Sequence, residues 1–184
     1  MQPPNTPRLI RATALPPVPE LPRAAALGVR ARPMADSDLL FVAALYASTR
    51  AEEVAVTGWP IEHQRAFLAQ QHDAQHRHYR LHYADALWLI LEKGDATIGR
   101  LYLDQWEREL RVIDISLIPQ CRSQGIGAAI LRDVQDLARA RALGVSIHVE
   151  KNNPARHLYD RLGFVLAEDK GVYDLLEWGL PRRG

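Results

Sequence analysis

Two short stretches of this chain bring together residue types that can do chemistry. Arg122-Ser123-Gln124-Gly125-Ile126-Gly127-Ala128 sits between a strand-like run, 111–118, and a long amphipathic stretch, 128–143. It therefore reads as a glycine-rich turn opening a helix. At a helix start several backbone N–H groups have no partner, and the helix dipole adds partial positive charge, which together suit a pyrophosphate. Gly125 and Gly127 let the backbone take unusual φ values and approach phosphates closely, and Arg122 adds a cationic fork. The loop lacks Gly-Lys-Ser/Thr, so it is not a nucleotide triphosphatase P-loop. A dinucleotide fingerprint is a closer rival, because a helix, a strand and then Glu150 follow at roughly the spacing of a ribose-binding acid. That fingerprint opens a domain, however, and only 34 residues follow Glu150. Taken alone, the heptapeptide is also open to a plainer reading, a strand-to-helix turn using glycine for geometry.

The second stretch is Asn152-Asn153-Pro154-Ala155-Arg156-His157-Leu158-Tyr159-Asp160-Arg161-Leu162-Gly163-Phe164. With the first, in this order and with a helix and a strand between, it resembles the Gcn5-related N-acetyltransferases. In them Arg/Gln-x-x-Gly-x-Gly/Ala binds the acetyl-CoA pyrophosphate and Asn-x-x-Ala-x-x-Leu-Tyr-x-x-x-Gly-Phe lies across the pantetheine arm. The resemblance spans about residues 31–178 and is most specific over 113–164. It implies an α/β fold: a mixed, mostly antiparallel sheet of about six to seven strands, helices on both faces, and a split between the fourth and fifth strands. It also implies an acyltransferase moving the acetyl group of acetyl-CoA, as co-substrate, directly to a primary amine, with no metal. Arg122, Ser123, Gln124, Gly125, Ile126, Gly127 and Ala128 would form the pyrophosphate loop. Leu117 and Ile118 match the splayed strand end whose backbone pairs with pantetheine, and Pro119 ends that strand. Asn152 takes the family's Asn position, with Asn153 as the alternative if the strand end bulges.

Tyr159 resembles the family's tyrosine facing the thioester sulfur, where a phenol can protonate the leaving thiolate. The same residue also reads as an aromatic on the buried face of a short helix starting near Pro154. For the proton leaving the attacking ammonium, Asp114 is the first candidate. Ile113, Ile115 and Leu117 alternate with it and share one strand face, leaving Asp114 and Ser116 on the other. An acid on a solvated strand face is the competing reading, and Glu109, Glu150 and His148 are further candidates. His72/His76 and His78/His82 have i, i+4 spacing that would allow chelation. They lack a cysteine or same-face carboxylate, so the stretch reads mainly as a polar helix bordering the acceptor.

The chain has 184 residues, enough for one good core. Residues 1–26 hold seven of the twelve prolines without sustained periodicity and read as a disordered or loosely docked arm, leaving 27–184 as one domain. A net charge of +1 implies no nucleic-acid partner. No apolar run of signal-peptide or membrane-spanning length is present, so a soluble protein is expected, as a monomer or homodimer. Cys121, the single cysteine, allows no internal disulfide and fits a reducing cytoplasm.

Hydrophobic periodicity predicts strands over 29–32, 87–92, 96–103, 110–118, 145–149, 164–168 and 172–178. Helices are predicted over 39 to about 50, 61–79, 125–142 and 153–162, with Ala66, Phe67, Gln70 and Gln71 forming one stripe of the second and Gly144 capping the third. Candidate acceptor-wall residues are Glu52, Glu53, Trp59, Tyr79, Tyr83 and Tyr173, each also readable as surface or core. The acceptor expected from this reading is a small-molecule or amino-acid-like amine, with a protein N-terminus or lysine second. A non-catalytic acyl-CoA-binding module and an interaction module using the proline-rich arm are the rival classes.

Overall fold

The computed structural model describes residues 14–180. Seven strands form one sheet: β1 (Val29–Pro33), β2 (Leu87–Lys93), β3 (Ala96–Gln105), β4 (Glu109–Leu117), β5 (Gly144–Glu150), β6 (Val165–Lys170) and β7 (Tyr173–Trp178), in the order β1-β2-β3-β4-β5-β7-β6. Every neighbouring pair is antiparallel except β4 and β5, which the intervening helix forces to run parallel. Helices α1 (Pro22–Ala26) and α4 (Ile126–Ala140) cover one face, α2 (Leu39–Ala55) and α3 (Ile61–His82) the other, and α5 (Arg156–Arg161) follows β5.

The pairing of β4 with β5 runs only from Glu109↔Gly144 to Val112↔Ile147. Past that point residues 113–117 of β4 and 148–150 of β5 have no ladder between them, so the sheet opens toward the carboxyl ends of both strands. A bulge sharpens the opening: Tyr102 pairs with Asp114 and Leu103 with Val112, leaving Ile113 as the extra residue on β4. Its effect on side-chain phase corrects the alternation expected from sequence. Leu110 and Val112 point to the main core before the bulge, Ile115 and Leu117 after it, and Ile113 belongs to neither core cluster. Asp114 and Ser116 do share the opposite face. At the far end of this pair Gly99 is obligatory, since a Cβ there would meet the Ser116 carbonyl oxygen at 2.3 Å.

The main core lies under α4, whose Ile126, Ile130, Val134 and Ala138 stripe packs on Leu101, Leu103, Leu110, Val112, Val145 and Ile147. Part of the segment read as an arm joins this layer. Leu21 and Ala24 are buried there, and the amides of Arg23 and Ala24 donate to the two oxygens of Asp133 on α4 at 3.1 and 3.0 Å. Residues 1–13 lie outside the described residues.

Other boundaries shift for physical reasons. Ala142, at φ +55°, takes the left-handed position after α4, whereas Gly144 is already in β5. Gly144 is needed there because a Cβ would meet the Trp178 carbonyl at 2.8 Å. The inward stripe of α3 is Leu68 and His72, both buried, with Gln75 and Tyr79 half-buried, and Phe67 is exposed instead. Helix α2 continues to Ala55 and α3 to His82. Among the described residues no helix is long and apolar enough to cross a membrane.

Candidate active site

After β4 a short 3-10 turn, Pro119–Cys121, leads into the glycine-rich loop. Ser123 (φ +59°) and Gly125 (φ +79°) both adopt left-handed backbone, which turns successive amides toward a common point. The first α4 hydrogen bond is donated by the Ala129 amide to the Gly125 carbonyl at 2.9 Å, so Ile126, Gly127 and Ala128 have amides with no acceptor inside the helix. A Cβ on Gly125 would find nothing within 4 Å, so open space lies in front of this cradle. The loop is tied to its surroundings by Arg122, whose Nε donates to the Leu117 carbonyl (2.9 Å) and Nη2 to Ser48 Oγ on α2 (3.2 Å). Cys121 is a free, half-buried thiol beside it.

Across the opening, Tyr159 projects from α5 into the main core, 4 % exposed, with its ring edge-on to Phe164 at 5.7 Å. Burial raises its hydroxyl far above the ordinary phenol range, and the negative charge of Asp114 adds to the effect. The phenol therefore stays protonated at any physiological pH. Tyr159 belongs to the α4 face and Asp114 to the α2/α3 face, so the two meet electrically through the gap between β4 and β5. Asp114 is not a free carboxylate. Arg100 grips it with Nε to Oδ1 (3.1 Å) and Nη2 to Oδ2 (2.8 Å), and Ser116 Oγ donates to Oδ1 (2.7 Å).

The two asparagines divide their work. Asn153 Oδ1 accepts the Ala155 amide at 2.8 Å and so stabilises the turn into α5, while Asn152 is exposed at the end of β5.

A sequence model of the acetyltransferase (GNAT) family matches residues 48–164, which cover the cradle, the opening and Tyr159. The chain belongs to the GNAT acetyltransferase family. Among curated proteins it is similar to a streptothricin acetyltransferase of Streptomyces lavendulae, 39% identical over 72 residues, 37% of this chain and 38% of that one. The match thus spans well under half the length of that relative. Among solved structures, the PaiA N-acetyltransferase of Thermoplasma acidophilum in complex with coenzyme A superposes with TM-score 0.62 at 14% identity, covering 82% of this chain and 98% of the other. A GNAT family acetyltransferase from Elizabethkingia anophelis with acetyl-CoA bound gives 0.54 at 16% identity, over 83% and 99%. At such identities these structures establish the shared fold.

On the side of the GNAT split facing α2 and α3, the structure adds Arg50 and Arg100, which sequence reasoning missed, to Glu53, Glu150 and Tyr173, which it had singled out. Arg50 on α2 reaches across to Glu150 at the end of β5, Nη1 to Oε2 at 2.7 Å and Nη2 to Oε1, and Nη1 also meets Glu53 at 3.0 Å. Tyr173 donates its hydroxyl to Glu150 Oε1 at 3.2 Å. The Arg50 contact holds the Glu150 carboxyl below its usual range. The missed signal was Tyr46, Arg50 and Glu53 at i, i+4, i+7 on one helical stripe. Arg100, 3 % exposed, also takes Gln75 Oε1 on α3 at 3.1 Å, joining that helix to the Asp114 cluster.

Of the expected wall residues, Tyr79 is half-buried near Asp114, its hydroxyl raised by burial and then by that carboxylate. Tyr83 stacks edge-on to it at 6.1 Å, while Trp59 packs on Phe67 at 5.4 Å and Glu52 is solvent-exposed. Glu109 and His148 belong to another network. Glu109 pairs with Arg111 at 2.8 Å and accepts from Ser146 at 2.6 Å. Arg111 Nη1 lies 3.0 Å from His148 Nδ1, and burial, then the arginine charge, lowers His148 to about 4. His72 and His76 stack at 5.9 Å, and His78 and His82 at 4.1 Å. Among the described residues no group of three His, Cys, Asp or Glu is placed to hold a metal ion.

Proposed function

We propose that this protein transfers the acetyl group of acetyl-CoA directly to a primary amine. The observation that carries the reading is the run of unpartnered amides at Ile126, Gly127 and Ala128 placed beside an unpaired length of β4. The cradle would take the pyrophosphate, and Arg122, by leaving the Leu117 carbonyl, would add its charge to the phosphates. The free edge at Leu117 and Ile118, with exposed Asn152 opposite, would take the pantetheine amides as an added strand does. The thioester then lies in the gap between Tyr159 and Asp114.

The amine nitrogen attacks the thioester carbonyl, the C–S bond breaks, and the leaving thiolate takes the Tyr159 proton. Burial keeps the phenol in its donor form, ready to meet the charge that collects on sulfur, and of the two protons the ammonium nitrogen releases to water one returns to the phenolate. Asp114, with both oxygens occupied, acts as a fixed negative charge. Burial first and this charge second keep Tyr159 protonated, and the incoming ammonium gives up its proton through water. The single thiol suits a reducing, cytoplasmic setting.

Calorimetry with acetyl-CoA, followed by a thiol-release assay over a panel of amines, tests the reading. Gly125→Trp should fill the space before the cradle and strain its left-handed turn, abolishing measurable acetyl-CoA binding while thermal melting still shows a folded chain. An absence of heat with any CoA ester in the parent protein would sink the assignment. Binding without amine-dependent thiol release would favour a non-catalytic acyl-CoA-binding module.

A further inference from the structure

The two histidine pairs of α3 share one spacing and differ in setting. His72 and His76 turn toward the sheet, with the His72 ring 5.7 Å from Tyr46 and the two imidazole centres 5.9 Å apart. At 4 % exposure His72 leaves no room for the waters that complete a metal site of two protein donors. His78 and His82 stand at the C-terminal end of the helix, the first half-buried and the second exposed, with ring centres 4.1 Å apart and planes 33° from parallel. Burial, and then the neighbouring His82, lowers the proton affinity of His78, so its ring is the neutral, ligating form at neutral pH. The nearby cations lie elsewhere. Arg77 and Arg80 occupy other stripes of the helix, with the Arg80 guanidinium 5.5 Å over the Trp88 ring, and the stripe of His78 and His82 continues back through Gln75, Ala74 and Gln71, all neutral. The last-turn carbonyls add partial negative charge, which favours a cation at this end.

We propose that His78 and His82 form a two-histidine site for a divalent transition ion of the Ni²⁺, Cu²⁺ and Zn²⁺ class, with water in the remaining positions, and that the ion staples the last turn of α3. Two imidazoles sharing one ion at about 2.0–2.1 Å each, at right angles, present nitrogens about 3 Å apart. Rings centred 4.1 Å apart reach that spacing by small side-chain rotations. The fastened turn carries Tyr79, edge-on to His78 at 6.2 Å, and Tyr83, whose amide donates to the Tyr79 carbonyl at 2.8 Å. With only two protein donors the site is open and its ion exchangeable, unlike a closed structural centre.

The full chain, untagged and stripped of metal, is titrated calorimetrically with nickel chloride alone, and with calcium chloride as the oxygen-preferring control. Ni²⁺ should bind one per chain, and Ca²⁺ should give no heat. His78→Gln and His82→Gln each remove one of two donors while keeping good helix propensity, and each should weaken Ni²⁺ binding at least roughly tenfold. His63→Gln, at an exposed position in the first turn of α3, should leave it unchanged. On saturation with Ni²⁺, hydrogen exchange of the Tyr83 amide should slow at least roughly fivefold. Affinity should also fall from about pH 7.5 to about pH 5.5, as protons compete for the rings. No heat with Ni²⁺, equal binding of Ca²⁺, affinity that survives both His78→Gln and His82→Gln, a loss at His63→Gln of the same size, or an unchanged Tyr83 exchange rate would overturn the proposal. None of these measurements requires coenzyme A, so they stand or fall apart from the transferase reading.

Discussion

The two faces of the sheet are built on different principles. Under α4 the contact is a continuous apolar layer, with Ile130, Val134 and Ala138 fully buried on aliphatic strands. Under α2 and α3 buried aliphatic residues such as Val42, Leu45, Ile90 and Leu68 are interleaved with a polar cluster of Arg100, Asp114, Gln75, His72 and tyrosines. A dry, close-packed layer can fix a helix start to within a fraction of an ångström. A layer of paired charges holds its groups in place only while every partner is present. The face that carries the glycine loop is thus held by packing, and the opposite face in part by paired charges.

The most severe break in this contrast should be chemical. Tyr159→Phe removes a hydroxyl that reaches from the apolar layer toward the charged one, and kcat should fall about 10²- to 10⁴-fold with acetyl-CoA binding nearly unchanged; wild-type turnover in rapid-mixing assays would remove the proton-donor role. Next comes Ile130→Ala, which should cost about 3–4 kcal/mol in urea unfolding, against about 2 kcal/mol for Leu68→Ala on the thinner layer. Equal losses would erase the distinction between the faces.

Third, stability should depend on pH through His148. Its folded pKa, about 4, lies below the unfolded value near 6.5, so the unfolded chain binds its proton first. The full contribution is present above about pH 6.5 and is lost as pH falls toward 4, by at most about 3 kcal/mol. His148→Gln should flatten that part of the profile, and an unchanged slope would assign the loss to other groups. The smallest effect is expected at Gln75→Ala, which removes one acceptor from Arg100 and should lower stability by about 1 kcal/mol. A loss several times larger would mean that α3 depends on this contact more than on Leu68.

The same contrast governs what could be read from the residues. The stripe of α4 and the glycine loop announce themselves because apolar periodicity and left-handed glycine are local properties. The inner stripe of α3 does not, because Leu68, His72, Gln75 and Tyr79 carry little hydrophobic signal, and Phe67 attracted the assignment to the wrong side. The bulge at Ile113 is also silent in sequence, since only the pairing with Tyr102 and Leu103 shows that alternation skips a residue. Asp114 was legible as a candidate acid, but its capture by Arg100 requires knowing that β3 and β4 are neighbours. Arg50 and Glu150 stand 100 residues apart, and no local rule joins them.

The carboxylate of Asp133 has a practical consequence for anyone trimming this chain. It is 2 % exposed, and the donors that satisfy it are the amides of Arg23 and Ala24 together with the Arg23 guanidinium. A shortened version beginning at Leu27 would leave that anion stranded against the middle of the helix whose first turn follows the glycine loop. A truncation that keeps Leu21 should therefore unfold at higher urea than one that begins at Leu27.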